Sequence, residues 1–235
     1  EMKNIAFIFA RGGSKGIKNK NILKFDDKPL IAHTIESAIM SQLFDDVVVS
    51  TDDDQIAEIS TSYGASVPFI RPAKLASDNS NELLSWKHAI QNYENEISRF
   101  ISLPCTSPLR NFSTIKKMLD KYNDTECDLL LGVTRSNHIP NFNIVNLTET
   151  GKLTIYNSSN DKIFRRQDAP NCFNITTYAY ITNPNYVLSA NNLLDGDIYG
   201  YILSKNESID IDDMYDFRYA EYIYLNQEKF EDKEN

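Results

Sequence analysis

The sequence of 235 residues is poor in cysteine and contains no long apolar run. Its three cysteines, Cys105, Cys127 and Cys172, are widely spaced and form no CxxC pair, so they offer no zinc site and are typical of reduced thiols. No apolar stretch approaches the roughly 20 residues that a membrane-spanning helix needs. The first residues also lack the charged, apolar and small-residue order of a signal peptide. We therefore expect a cytoplasmic protein with no membrane partner.

Acidic residues outnumber basic ones. The chain has 33 Asp and Glu and 24 Lys and Arg, which gives a net charge of -9. A general nucleic-acid binder needs a basic surface to displace counterions from phosphates, so we expect no nucleic-acid partner. The acidic balance leaves room for a small anionic ligand in one local basic pocket. The length suits one large α/β domain with a small attached subdomain.

Short apolar runs alternate with helix-like segments over the first 135 residues. The runs are uniformly apolar rather than alternating with polar residues, which is typical of a parallel sheet covered by helices on both faces. The predicted fold class is therefore α/β with a mostly parallel sheet. The predicted strands are Ile5–Ala10, Asp45–Thr51, 65–70, 99–105 and 127–134, and the helices between them are 29–42, 54–64, 81–95 and 113–123, the last with Ser113 as its N-cap.

The alternation of strands and helices breaks from about Ser136. Apolar residues continue at strand spacing between interruptions by Asn, Pro, Thr and Gly, so we predict an inserted arm over residues 138–170 within a single domain of residues 1–235. Such short strands cannot bury themselves in so small a unit, and we therefore expect a homodimer formed through the arm. The core resumes with strands at 176–182 and 198–204 and closes with a helix at 216–227.

A basic, glycine-rich loop follows the first predicted strand and reads ARGGSKGIKNKN. Ligands of parallel sheets bind beyond the carboxyl ends of the strands, which is where this loop begins. Glycines at 12, 13 and 16 let backbone N–H groups converge on an anion, while Arg and Lys side chains supply positive charge. The loop fits neither GxxxxGK[ST] nor GxGxxG. The pattern favours a polyphosphate site, and the alternative is a solvated turn with scattered lysines.

An acidic segment near the C-terminus reads SIDIDDMYD. If it is extended, Asp210 and Asp212 point to one face while the intervening isoleucines point to the other. Two carboxylates on one face suit Mg²⁺, which binds one or two carboxylates together with substrate phosphates. The alternative is an acidic strand end in an acidic protein. Asp213 and Asp216 are expected to be acids at the start of the last helix.

Four motifs in order resemble those of the acylneuraminate cytidylyltransferase family, the CMP-nonulosonate synthetases. The basic loop is similar to its N-terminal signature, and RPAKLASD, TSPLR and SIDIDDMYD are similar to three later segments. The resemblance runs from Ile5 to about Ala220. It implies a Rossmann-like nucleotidyltransferase fold with a dimerisation arm. It also implies an enzyme that joins CTP to an acidic nine-carbon sugar, giving CMP-sugar and pyrophosphate for bacterial surface glycans or flagellin glycosylation.

The resemblance also implies roles for individual residues. Catalytic roles fall on Arg11, Lys15 and Asp212, and the metal, Mg²⁺ or Mn²⁺, falls on Asp210 and Asp212. One of the paired arginines of the arm could act across the dimer. CTP binding falls on Arg11, Gly12, Gly13, Ser14, Lys15, Lys20, Asn21, Arg71 and Asp78, with Asn21 and Arg71 near the cytosine, and sugar binding falls on Thr106, Ser107, Arg165, Arg166, Gln167, Thr176 and Thr177.

The departures from the family pattern concern the sugar. Pro104 stands where sialic acid synthetases have a Gln, and Thr176 and Thr177 stand where they have Asn and Gly. A family lysine near the arm has no clear counterpart. Because the nucleotide motifs are intact, we expect the same reaction on a different nonulosonate, with legionaminic acid ahead of pseudaminic acid.

Three alternatives remain open at this point. One is a 3-deoxy-octulosonate cytidylyltransferase or another sugar nucleotidyltransferase, which substrate tests would separate. A second is a nucleotide-binding partner without turnover. A dinucleotide oxidoreductase is third, and the absence of GxGxxG speaks against it.

Overall fold

The computed structural model describes residues 2–14, 16–77, 81–157, 165 and 170–230. Two single-turn 3-10 helices, Lys20–Ile22 and Ala73–Leu75, lie in loops. No helix in these ranges is long and apolar enough to cross a membrane. In chain order the elements are β1 (Asn4–Phe9), β2 (Lys24–Phe25), β3 (Lys28–Pro29), α1 (Leu30–Ser41), β4 (Asp46–Ser50), α2 (Asp54–Ser62), α3 (Glu82–Asn92), β5 (Arg99–Ser102), α4 (Phe112–Asp124), β6 (Leu129–Arg135), β7 (Val145–Leu147), β8 (Leu153–Ile155), β9 (Phe173–Thr182), α5 (Pro184–Ser189), β10 (Ile198–Ile202), α6 (Met214–Leu225) and α7 (Gln227–Phe230).

The central sheet has the strand order β10-β6-β9-β5-β1-β4. Strand β1 is parallel to β4 and β5, and β10 is parallel to β6. Strand β9 lies antiparallel between β5 and β6, so those two neighbours also run in one direction. The predicted α/β class with a mostly parallel sheet is therefore confirmed. The carboxyl ends of the parallel strands share one edge of the sheet with the first residues of β9.

The core lies on both faces of the sheet. One apolar cluster packs beneath α1 and α4, and a second, which contains Trp86, packs beneath α3 and α5. A third cluster lies off the sheet and joins Ile17 of the basic loop and Ile211 of the acidic segment to Phe217 of α6. All three side chains are buried, so burial of apolar surface anchors the two loops beside each other.

Two local predictions were wrong. Residues 65–70 form only isolated bridges, Val48 with Ser66 and Thr51 with Ile70, because Pro68 lacks the N–H that a continuous ladder needs. Helix α4 takes Asn111 as its N-cap instead of Ser113, since the Asn111 carboxamide oxygen accepts from the Ser113 N–H at 2.9 Å.

The described part of the arm contains one antiparallel pair, β7 with β8. Its apolar side chains are exposed, including Leu147 at 70% and Leu153 at 59%. Residues 158–164 and 166–169 of the predicted arm lie outside the described residues. The boundaries of the arm and its role in assembly stay predictions.

The N-cap of α4 gives a direct test of the corrected helix start. Asn111→Ala removes the carboxamide oxygen that accepts from the backbone, and we expect it to lower the free energy of unfolding by about 1 kcal/mol. Ser113→Ala serves as the control because Ser113 lies inside the helix, where Ala is the better helix former. Urea unfolding measures both variants. A greater loss in Ser113→Ala would return the cap to that residue.

Candidate active site

A cleft of about 420 Å³ lies at the edge of the sheet where the parallel strands end. The loop after β1, the segment after Arg71, the loop after β5 and the acidic segment before α6 all contribute to it. The structure thus brings together seven of the predicted site residues from distant parts of the chain. These are Arg11, Ser14, Lys20, Asn21, Arg71, Thr106 and Asp212.

The basic loop is held by polar contacts from both sides. The Gly12 N–H donates to the Asp52 carboxylate at 3.1 Å, and the Asn21 side-chain amide donates to the Arg11 carbonyl at 3.1 Å. A Cβ atom on Gly12 would collide with the Asp53 side chain, which explains the glycine at this close approach. Asn21 is buried, and its side-chain amide fixes the loop. Its contact with the base stays a prediction.

Two cationic side chains extend from this loop into the cleft. The Arg11 guanidinium donates to the Ala76 carbonyl at 3.4 Å, and the Lys20 ammonium donates to the Ile211 carbonyl at 2.6 Å. The Lys20 contact uses a single donor of an ammonium group that has several, so Lys20 keeps capacity for a phosphate. Gly13 and Ser14 lie between them in the loop, whereas Lys15 and Asp78 lie outside the described residues.

Arg71 is 4% exposed and is therefore far from the exposed ion pair that isolated arginines usually form. Within the described residues it forms an ion pair with Asp52, whose carboxylate oxygen lies 3.9 Å from the guanidinium, and its Nε atom has no hydrogen-bond partner there. Burial lowers the pKa of this guanidinium, with Asp52 acting in the opposite direction. A buried cation with an unsatisfied donor is suited to a ligand group that accepts hydrogen bonds.

The two candidate metal ligands differ in their surroundings. One carboxylate oxygen of Asp210 is buried without a partner among the described residues, whereas Asp212 is exposed in the cleft. Repulsion by Asp210 is the main cause that raises the pKa of Asp212. The charge of Lys20 lowers that pKa, and two close carboxylates fit a divalent cation that also binds phosphate oxygens. Within the described ranges no cluster of three or more His, Cys, Asp or Glu side chains offers another metal site.

Ile211 connects the loops of the cleft through its backbone. Its side chain is fully buried, its N–H donates to the Thr106 carbonyl at 2.9 Å, and its carbonyl accepts from Lys20. The next carbonyl, that of Asp212, lies so close to Gly16 that a Cβ atom there would collide with it. Within the acidic segment, Asp213 is the N-cap of α6 and forms a capping box with Asp216, as expected for acids at a helix start.

The predicted sugar residues fall into two groups. The hydroxyls of Thr106 and Ser107 lie 3.1 and 3.0 Å from that of Thr177, so these three form one cluster beside the cleft. The buried hydroxyl of Thr176 donates to the Gly132 carbonyl at the irregular step between β6 and β9, and its role in sugar binding stays a prediction. Arg165 is exposed, and Arg166 and Gln167 lie outside the described residues.

Arg110 supports this hydroxyl cluster from inside the protein. The buried guanidinium donates to the carbonyls of Tyr178 at 2.7 Å and Pro104 at 2.6 Å. Burial lowers its pKa to about 10. Arg110 therefore fixes the start of the TSPLR loop to the antiparallel strand β9, and the sequence motif has a structural as well as a ligand-facing part.

The cleft also contains residues that the sequence analysis did not select. Glu82 and Ser85 of α3 line it together with Phe9 and the segment from Leu75 to Ser77. The Ser85 hydroxyl donates to the Leu75 carbonyl at 3.0 Å. The sequence signal that could have selected Glu82 and Ser85 is their position, because α3 begins shortly after the RPAKLASD motif. His88, on the same helix, packs edge-on against Phe69 with ring centroids 5.4 Å apart.

The comparisons with known proteins agree on one family. A protein-family model described as cytidylyltransferase matches residues 5–230. N-acylneuraminate cytidylyltransferase of Escherichia coli is 36% identical over 228 residues, which are 97% of this chain but 53% of that protein. Two Campylobacter jejuni proteins match over almost their whole length. Pseudaminic acid cytidylyltransferase is 30% identical over 95% of this chain and 97% of the relative, and CMP-N,N'-diacetyllegionaminic acid synthase is 31% identical over 92% of each.

A solved structure supports the fold independently. CMP:2-keto-3-deoxy-manno-octonic acid synthetase complexed with CTP superposes with a TM-score of 0.73, covering 96% of this chain and 99% of that one. The sequence identity is 14%, so this likeness concerns the fold alone.

The close approach of Gly16 to the acidic segment can be tested by mutation. Gly16→Ala places a methyl group against the Asp212 carbonyl, and we expect a loss of about 1–3 kcal/mol in the free energy of unfolding as the two loops separate. Gly13→Ala is the matched control, because a Cβ atom at Gly13 meets nothing within 4 Å. Thermal unfolding compares the two. Equal melting temperatures would show that the loops are not in contact.

Proposed function

Because this chain belongs to the cytidylyltransferase family, we propose that it joins CTP to a nonulosonic acid and releases pyrophosphate. The relatives named for sialic, pseudaminic and legionaminic acids support this substrate class. The observation that carries the proposal is that Arg11, Lys20 and Asp212 line one cleft, with Lys20 bonded to the Ile211 carbonyl between Asp210 and Asp212. Such a cleft can hold a triphosphate and a divalent cation together.

The reaction requires positioning more than covalent chemistry. The anomeric hydroxyl of the sugar attacks the α-phosphorus in line, a new P–O bond forms, and the bond to the departing pyrophosphate breaks. Arg11, Lys15 and Lys20 would neutralise the charge that grows on pyrophosphate, while the glycines let the loop approach the phosphates. The hydroxyls of Thr106 and Thr177 would orient the sugar next to the α-phosphate.

The acidic pair would hold Mg²⁺ or Mn²⁺ through Asp210 and Asp212. When bound, the ion would supply charge neutralisation and orientation for the phosphate oxygens. The unpartnered oxygen of Asp210 and the repulsion between the two carboxylates support this assignment.

Three free cysteines are consistent with an enzyme of the reducing cytoplasm.

The metal assignment leads to opposite effects on stability and activity. Asp212→Asn removes the repulsion with Asp210, so we expect the metal-free variant to melt at a higher temperature than the wild type. Magnesium should raise the melting temperature of the wild type but not of the variant, which should also lose nearly all turnover.

Asp120→Asn is the control for this substitution, because Asp120 is an exposed carboxylate on α4 away from the cleft. It should change neither the melting temperature nor the magnesium response. Turnover of the wild type in excess chelator, or equal stabilisation of Asp212→Asn by magnesium, would remove the metal from this pair.

The sugar is proposed to be of the legionaminic type, ahead of the pseudaminic type. Pro104 cannot donate from its side chain, and the cleft instead offers the hydroxyl cluster of Thr106, Ser107 and Thr177. A site that pairs one set of substituents rejects a sugar that leaves its polar groups unpaired.

A substrate panel tests both the activity and the sugar. Purified protein with CTP and Mg²⁺ should release pyrophosphate with legionaminic-type sugars, and N-acetylneuraminate should give a kcat/KM at least about tenfold lower. Equal or better kcat/KM with N-acetylneuraminate contradicts the sugar assignment. Preference for 3-deoxy-octulosonate would favour the octulosonate alternative, and CTP binding without turnover on any sugar would favour a nucleotide-binding partner.

The protein is proposed to be a homodimer that forms through the arm. The exposed apolar residues of β7 and β8 support this, and Phe173 and Ile175 of β9 are exposed as well. An exposed surface of this kind on a two-stranded unit is typical of an interface.

Charged substitutions in the arm test the dimer. Leu147→Asp combined with Leu153→Asp should give a monomer at micromolar concentration in sedimentation, because both side chains would carry charge into the interface. Met40→Asp is the control, since Met40 is also exposed but lies on α1. A wild-type protein that sediments as a monomer would rule out the dimer.

A further inference from the structure

One carboxylate that lines the cleft, that of Glu82, is not assigned to phosphate or metal binding. Glu82 is the first residue of α3 and lines the cleft beside Arg71 and Ser85, whereas Asp212 lines it beside Lys20 and Gly16. Arg71 forms an ion pair with Asp52 rather than with Glu82, so the Glu82 carboxylate is not engaged in it.

Glu82 is exposed in the first turn of α3, and its side chain lines the cleft, where a ligand can reach it. Desolvation is the main cause that raises the pKa of its carboxyl, and the charge of Arg71 acts in the opposite direction. Nearby, the buried Arg71 side chain has an Nε donor without a partner in the described residues. This part of the cleft therefore contains an acceptor and a donor, both of which gain from a ligand that pairs with them.

The layout of the cleft indicates which part of a nucleotide lies there. The glycine loop with Arg11 and Lys20, together with Asp212, takes the triphosphate. The hydroxyls of Thr106 and Thr177 occupy the side from which the acceptor sugar must approach. The remaining wall, formed by Arg71, the Leu75–Ser77 segment and Glu82, is left for the base.

We propose that Glu82 accepts a hydrogen bond from the exocyclic amino group of cytosine and thereby makes the site select CTP over UTP. Cytosine presents this amino donor next to two acceptors, which match the carboxylate of Glu82 and the donors of Arg71. Uracil presents a carbonyl oxygen in place of the amino group, and an ionised carboxylate can only repel it. The inference rests on the proposed function, since it assigns the base of the same nucleotide.

Glu82→Gln tests the inference without changing the size of the side chain. The carboxamide can turn to donate to the uracil carbonyl, so the ratio of kcat/KM for CTP to that for UTP should fall by about tenfold or more. Glu94→Gln is the matched control, because Glu94 is an exposed carboxylate just beyond the other end of α3. It should keep the wild-type ratio.

A binding measurement separates this inference from the proposed function. Calorimetry with CMP and UMP should show a wild-type preference for CMP that Glu82→Gln loses by a similar factor, whether or not the protein turns over any sugar. If Glu82 serves only the helix start, Glu82→Gln lowers the melting temperature and leaves both ratios unchanged, which overturns the inference. An unchanged CTP preference in a well-folded Glu82→Gln protein overturns it equally.

Discussion

The cleft depends on the backbone of Ile211, which is bonded on both sides while its side chain is buried. Its N–H reaches the loop after β5 and its carbonyl reaches Lys20 of the loop after β1, so the TSPLR loop and the basic loop are joined at one residue. The buried side chain supplies the apolar anchor, and the two neighbouring aspartates are directed away from it. The candidate metal ligands are thus placed by apolar burial and two main-chain contacts, and their mutual repulsion is a cost that a bound cation would remove.

The antiparallel strand β9 determines how Thr177 meets the loop after β5. Because it runs against its neighbours, its first residues arrive at the edge where the parallel strands end, and Thr177 comes beside Thr106. Phe173 and Ile175, at the start of the same strand, are exposed apolar residues. Arg110 strengthens this link by bonding to carbonyls on both the TSPLR loop and β9.

The sequence was informative where a pattern is local and less informative where contacts are distant. Apolar periodicity predicted most strands and helices, and the alternation of Ile209 to Asp212 predicted the exposed acid beside a buried isoleucine. It missed the effect of Pro68 on the run 65–70 and the competition between Asn111 and Ser113 for the cap, both of which depend on single backbone donors. The role of Thr176 depends on the carbonyl of Gly132, 44 residues away, and Glu82 enters the cleft only through the packing of α3. No spacing rule reports such contacts.

The central claim is that this cleft transfers a cytidylyl group, and phosphorus NMR of the complete reaction tests it most directly. With CTP, Mg²⁺ and a legionaminic-type sugar, the account predicts that the CTP resonances are replaced by one equivalent of pyrophosphate and one equivalent of a sugar phosphodiester. Release of orthophosphate with CDP, or formation of a sugar monophosphate, would show transfer of a different phosphoryl group and would contradict the account.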